Sequence, residues 1–132
     1  AGRGIEGLSY YAQALEGIFR ELQAAGTEVI FMTPNMMGTR AVAEEKDPFI
    51  HSLLEGITKL QTDGIMDVYM DRAREVCAAN GVPVCDCYRK WKRLEESGAD
   101  VTRLLANRVN HPTENMHWLF AASLFEMMLF DF

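Results

Sequence analysis

The stretch LLANRVNHPTENMH, residues 104–117, places His111 in a polar loop ahead of an apolar segment. An imidazole titrates near neutrality, so it can take a proton from a hydroxyl nucleophile and later return it to a leaving group. His111 thus reads in two ways, as a general base or as a structural loop residue, and an isolated histidine before a helix is more often the second. Asn107 and Asn110 stand four residues and one residue before it. Either amide could orient the ring by a neutral hydrogen bond, although an amide does not stabilise imidazolium as a carboxylate does. Asp86, after the apolar run VPVC, is the acidic alternative for that role, and it reads more readily as a helix cap or turn residue. The serines are Ser9, Ser52, Ser97 and Ser123, and none stands in a G-D-S or G-x-S-x-G setting.

The remaining chemistry-bearing residues point elsewhere or nowhere. Cys77, Cys85 and Cys87 are an odd number of cysteines. They suggest no disulfide framework, and a reducing, cytoplasmic setting is expected. A zinc site from Cys85, Cys87, His111 and His117 can be drawn. However, C-x-C on a strand sends its two thiols to opposite faces, and structural zinc sites favour wider cysteine spacing. No metal is expected. No glycine-rich phosphate loop follows either candidate strand, so no nucleotide or flavin cofactor is expected. His117 is expected to hold the loop before the final helix, and His51 to lie at the surface. Arg108 reads as a solvated side chain, with an anionic substrate group as its other partner.

The elements that must position these residues follow from periodicity. Residues 8–25 place Leu8, Tyr11, Leu15, Ile18, Phe19 and Leu22 at helical spacing, with Gly26 as a stop. TEVIFMT then reads as a buried strand ended by Pro34. The same helix, Gly, strand order returns in residues 65–79, the turn NGVP and the strand VCDC. Residues 34–50 read as a surface excursion, and residues 51–64 as a helix broken near Gly56 and Gly64. A basic helix near 88–96, a turn of helix near 101–105 and a last helix capped by Thr113 complete the chain. That last helix carries Met116, Leu119, Phe120, Leu124, Met127 and Met128 as an apolar stripe. Helix-led apolar strands suit a parallel sheet covered on both faces. Two strands alone leave unpaired edges.

The chain has 132 residues, the size of one domain, and its net charge of −6 argues against a nucleic-acid partner. The basic run YRKWKR is followed at once by Glu95 and Glu96, as on a solvated helix face. No apolar run approaches the roughly 20 residues needed to cross a bilayer, and no leader peptide is evident, so no membrane partner is expected. The sequence opens without Met, as in a processed, trimmed or fragmentary chain.

Four segments, in order, resemble the SGNH hydrolases, the GDSL-like lipase/acylhydrolase family. GIFRELQAAGTEVIFMTP (17–34) is similar to the family's helix and strand before a TP turn. YMDRAREVCAANGVPVCDCYRKW (69–91) is similar to its Tyr-led helix running into GVPVxD. NHPTENMH (110–117) resembles the block of the catalytic histidine, and WLFAASLFEMML (118–129) the C-terminal helix. The resemblance implies an α/β fold: a flavodoxin-like three-layer sandwich with a parallel sheet. Residues 1–132 would be its C-terminal portion, without the nucleophile and oxyanion segments. It further implies hydrolysis of a carboxylic ester of a small molecule, such as an acylated sugar or lipid. His111 would be the general base, and the serine would come from outside this chain. Where the family has Asp three residues before this histidine, Arg108 stands here, so Asn107, Asn110 or Asp86 would orient the ring. The alternative expectation is a non-catalytic α/β domain that forms homo-oligomers through its exposed sheet edge, unless a preceding segment completes it.

Overall fold

A computed structural model describes residues 4–40 and 46–130. The apolar spacing near the start produces α1 (Leu8–Ala24), which buries Ala12, Leu15 and Phe19. Its end is built on Gly26, whose φ of 77° lies in the left-handed region. That turn lets Gly26 N–H donate to Gln23 O at 2.9 Å and Thr27 N–H to Leu22 O at 3.0 Å, closing the orphan carbonyls of the last turn. After α2 (Pro48–Thr62), the same device ends α3 (Ile65–Ala79): Gly81 has φ 64°, and Val82 N–H donates to Cys77 O at 2.9 Å. Each such turn feeds a strand, β1 (Phe31–Met32) and β2 (Val84–Cys85). The two pair in parallel, Phe31 opposite Val84 and Met32 opposite Cys85.

This architecture corrects the expected three-layer sandwich. The described residues hold five α-helices, several 3-10 turns and one pair of two-residue strands, so no sheet layer exists for helices to cover. The physical reason lies in pairing. TEVIFMT has strand-like composition, but only Phe31 and Met32 meet a partner ladder, and residues 27–30 have none. Helices bury one another instead. α1 and α2 both pack on α3, while α4 (Cys87–Glu96) meets α5 (His117–Phe130).

The core forms two clusters. One joins Ala12, Leu15 and Phe19 of α1 to Ala73, Val76 and Cys77 of α3. The other gathers Met36, Met66, Tyr69, Met70, Tyr88, Trp91, Val101 and Leu105. Trp91 is fully buried, and its indole N–H has no partner among the described residues. Met36 is also fully buried, so the stretch after Pro34 is not wholly a surface excursion; residues 41–45 of it lie outside the described residues. α2 runs unbroken through Gly56, starting from an Asp47 cap that accepts the N–H groups of Phe49 and Ile50. Of the expected stripe, Met116, Leu119, Phe120, Leu124 and Met127 are half-buried, the first three packed on the core, and Met128 is exposed; Phe125 and Leu129 outside it are exposed, and Ser123 is buried.

Candidate functional site

Two polar clusters form beyond the C-terminal ends of the paired strands, where open α/β units gather ligands. The first joins the residues directly after each strand. Thr33, fully buried, donates its hydroxyl to Asp86 Oδ1 at 3.0 Å and accepts Tyr88 N–H at 2.8 Å. Arg74 of α3 reaches the same carboxylate with both arms of its guanidinium: Nε to Oδ2 at 2.9 Å and Nη2 to Oδ1 at 3.0 Å. Arg89 N–H adds a bond to Oδ1 at 3.2 Å, which makes Asp86 the N-cap of α4. Burial by itself would raise the Asp86 carboxyl. The Arg74 and Arg89 hydrogen bonds, the Arg74 charge and the Thr33 hydroxyl outweigh it and hold the group below the usual carboxylate range.

The second cluster is the loop of residues 105–112, closed by an antiparallel bridge between Leu105 and Pro112. Ala106 N–H donates to His111 O at 2.7 Å, and Thr113 N–H to Leu104 O at 2.9 Å. Inside the loop, Asn107 Oδ1 accepts three backbone N–H groups, those of Val109, Asn110 and His111, each at 3.0 Å. Its Nδ2 donates to Asn110 Oδ1 at 2.9 Å. This side-chain mimic of a turn is what asparagine does well. It accommodates Arg108 at φ 60°, a conformation non-glycine residues seldom take.

The turn after β1 holds this loop in place. Asn35 Nδ2 donates to Asn110 O at 2.9 Å, and Gly38 N–H donates to Val109 O at 2.7 Å. A β-carbon on Gly38 would stand 2.6 Å from Arg108 O, so only glycine permits the contact. His111 is thereby anchored by its backbone, while its side chain is exposed and has no hydrogen-bond partner among the described residues.

The structure therefore brings Asn107, Asn110 and His111 together but leaves Asp86 apart, bound to Arg74. Asn107 holds backbone N–H groups and Asn110 holds the Asn107 amide, and neither side chain is bonded to the imidazole. Arg108 donates to Arg103 O at 2.8 Å. His117 opens α5, exposed, with its ring 6.4 Å from that of Phe120, and His51 lies 3.4 Å from Glu55. Thr113 makes no side-chain cap. Sequence reasoning missed Thr33, Arg74, Asn35 and Gly38 as the residues that build the two clusters. The signal available was TPNMMG, where small and amide residues directly follow an apolar strand.

None of the four serines is bonded to a histidine among the described residues. Ser9 accepts from Gln13, Ser97 donates to Leu94 O, and buried Ser123 donates to Leu119 O. The expectation that Cys85 and Cys87 point apart is overturned. β2 ends at Cys85, the backbone turns at Asp86 with ψ 72°, and the two sulfurs lie 4.0 Å apart. No group of three or more His, Cys, Asp or Glu side chains converges among the described residues. No described helix is long and apolar enough to cross a membrane. The chain matches no family model, no curated protein and no solved structure.

Proposed function

We propose that this chain carries the general-base segment of an SGNH-type esterase or acylhydrolase, with His111 as the base for a serine supplied from outside these residues. One observation supports this above the others: a loop anchored through Asn107, Asn35 and Gly38 presents an unengaged imidazole beside the strand ends. A preorganised backbone with a free ring is what proton transfer needs. The substrate class is an ester of a small molecule, such as an acylated sugar or lipid. In this role Asn107 positions the histidine through its backbone, Asn110 holds the Asn107 amide, and Asp86 secures the neighbouring strand ends.

The test uses the complete gene product. A fluorophosphonate should label a serine N-terminal to Ala1, and p-nitrophenyl acetate should be hydrolysed. His111→Ala should abolish both without loss of folding. Absence of labelling, or full activity in His111→Ala, overturns the reading.

A second reading, a non-catalytic domain assembling as a homo-oligomer, is favoured by a different surface. Among the described residues the outer edge of β1 has no strand beside it, exposed Ile30 precedes β1, and Phe125, Met128 and Leu129 are exposed on α5. Such an edge invites pairing with another chain. Light scattering on the 132-residue chain decides this: a monomer at micromolar concentration excludes it.

A further inference from the structure

We propose that Cys85 and Cys87 are a dithiol modification site, closed to an intramolecular disulfide by a small carboxylate-bearing disulfide such as oxidised glutathione. The geometry begins at the break in β2. Cys85 is the last strand residue and Cys87 the first residue of α4, so the chain reverses its side-chain alternation between them and brings the sulfurs to 4.0 Å. Rotation of the two side chains, with a small backbone adjustment, covers the remaining distance to a bond of about 2 Å. Cys77, the third thiol, is buried in the α1–α3 cluster.

Both cysteines are buried, Cys87 fully and Cys85 with 3% of its surface exposed, so among the described residues the only access is through the cleft that Cys85 lines. Cys85 lines an open cleft of about 260 Å³ with Val84, Asp86, Ser123 and Met127. Arg89, Lys90 and Arg93 stand around the same cleft against the carboxylates of Asp86 and Glu126, leaving an excess of positive charge. An anionic disulfide is therefore drawn in, and Cys85 is the thiol it meets. The Cys85 thiolate attacks one sulfur of the reagent, releasing the first small thiolate and forming a mixed disulfide. Cys87 then loses its proton and attacks the Cys85 sulfur, releasing the second small thiolate. The protein dithiol is oxidised by two electrons and the reagent reduced to two thiols, with the two protons passing to solvent or to the released thiolates. Burial pushes the Cys87 thiol up to about 11, the neighbouring Cys85 adding to the shift, so the second step quickens as pH rises toward that value.

The native protein is incubated with oxidised glutathione at mildly alkaline pH, its remaining thiols are alkylated in denaturant, and the chain is cut on the N-terminal side of its aspartates. Cleavage before Asp86 separates Cys85 from Cys87 but leaves Cys77 and Cys85 on one peptide. The expected product is a pair of peptides joined until reductant is added, with alkylated Cys77. In Cys87→Ser the reaction should stop at a glutathione adduct on Cys85. Alkylation of both Cys85 and Cys87, a Cys77–Cys85 link, or glutathione adducts alone in the unsubstituted protein would overturn the proposal.

Discussion

The two clusters beyond the strands have much the same parts and opposite arrangements. Around Asp86, side chains bind side chains: a carboxylate takes a forked guanidinium, a hydroxyl and a backbone N–H, and nothing is left over. Around His111, side chains bind backbone: Asn107 and Asn35 fix the path of the loop and leave the imidazole free. The first arrangement engages every polar group it gathers, and the second leaves one ring without a partner among the described residues. Asp86, which the sequence offered both as a helix cap and as a group to orient His111, caps α4 and is bonded to Arg74 and Thr33.

Removing the ring should produce the largest separation between the two clusters. On the proposed esterase reading, His111→Ala in the complete gene product is expected to lower kcat by roughly 10⁴-fold, equivalent to about 5.5 kcal/mol of transition-state stabilisation. The exposed side chain contacts little, so the melting temperature should stay within about 1 °C of the unsubstituted protein, as expected for surface substitutions. A large drop in thermal stability would break the comparison, because the imidazole would then be a structural group after all.

Arg74→Ala is the converse. It leaves the half-buried Asp86 carboxylate without its forked cation and with only the exposed Arg89 Nε at 3.4 Å, which costs about 2 kcal/mol once partial exposure is discounted. Urea unfolding should show it, with ester hydrolysis in the complete enzyme changed far less than by His111→Ala. The same pair sets an acid dependence. Asp86 is held below its unfolded value near 3.9, so the unfolded chain binds its proton first as pH falls. The stabilisation is present above about pH 4 and is lost below it. Arg74→Ala should flatten that part of the stability curve, and an unchanged acid limb would mean the pair contributes nothing.

How much of this could be read in the sequence follows from the range of each interaction. The α3 helix was legible to the residue because Ile65–Ala79 carries its own periodicity, and the Gly26 and Gly81 stops were legible because a left-handed turn needs glycine. The parallel direction of the strands was legible from the helices between them. The sandwich was not, since a strand exists only where another pairs with it, and composition does not supply the partner. Of the site, the loop and its two asparagines were visible as neighbours in sequence. Their targets were not, because an amide can reach a ring or a backbone N–H at the same spacing. Arg74 to Asp86 and Asn35 to Asn110 join residues far apart in the chain, and no local pattern announces them.

Gly38→Ala probes how the histidine loop is held. The added methyl would lie 2.6 Å from a backbone oxygen, which cannot swing aside as a side chain can. The turn after β1 must then separate from the histidine loop, at a cost of about 2 kcal/mol. In the complete enzyme, activity should fall by more than the stability loss explains, since the loop shifts in the folded protein. Activity unchanged from the parent would show that the Gly38 contact does not fix His111.

The smallest effect falls at Asn107 and sharpens the comparison furthest, because it separates backbone anchoring from ring orientation. Asn107→Ala removes one acceptor that serves three exposed N–H groups, and water replaces it in part, so global stability should fall by only about 1 kcal/mol. Hydrogen exchange should be more sensitive: the amides of Val109, Asn110 and His111 are expected to exchange about tenfold faster, while those of α3 are unchanged. Asn107→Asp keeps the accepting oxygen and loses only the donor to Asn110, so it should restore most of the protection. If Asn107 acts through the backbone, kcat in the complete enzyme should follow the same order, lowest for alanine and close to the parent for aspartate. Were the asparagine instead to orient the ring directly, aspartate would raise kcat above the parent by stabilising the imidazolium, with no relation to amide protection.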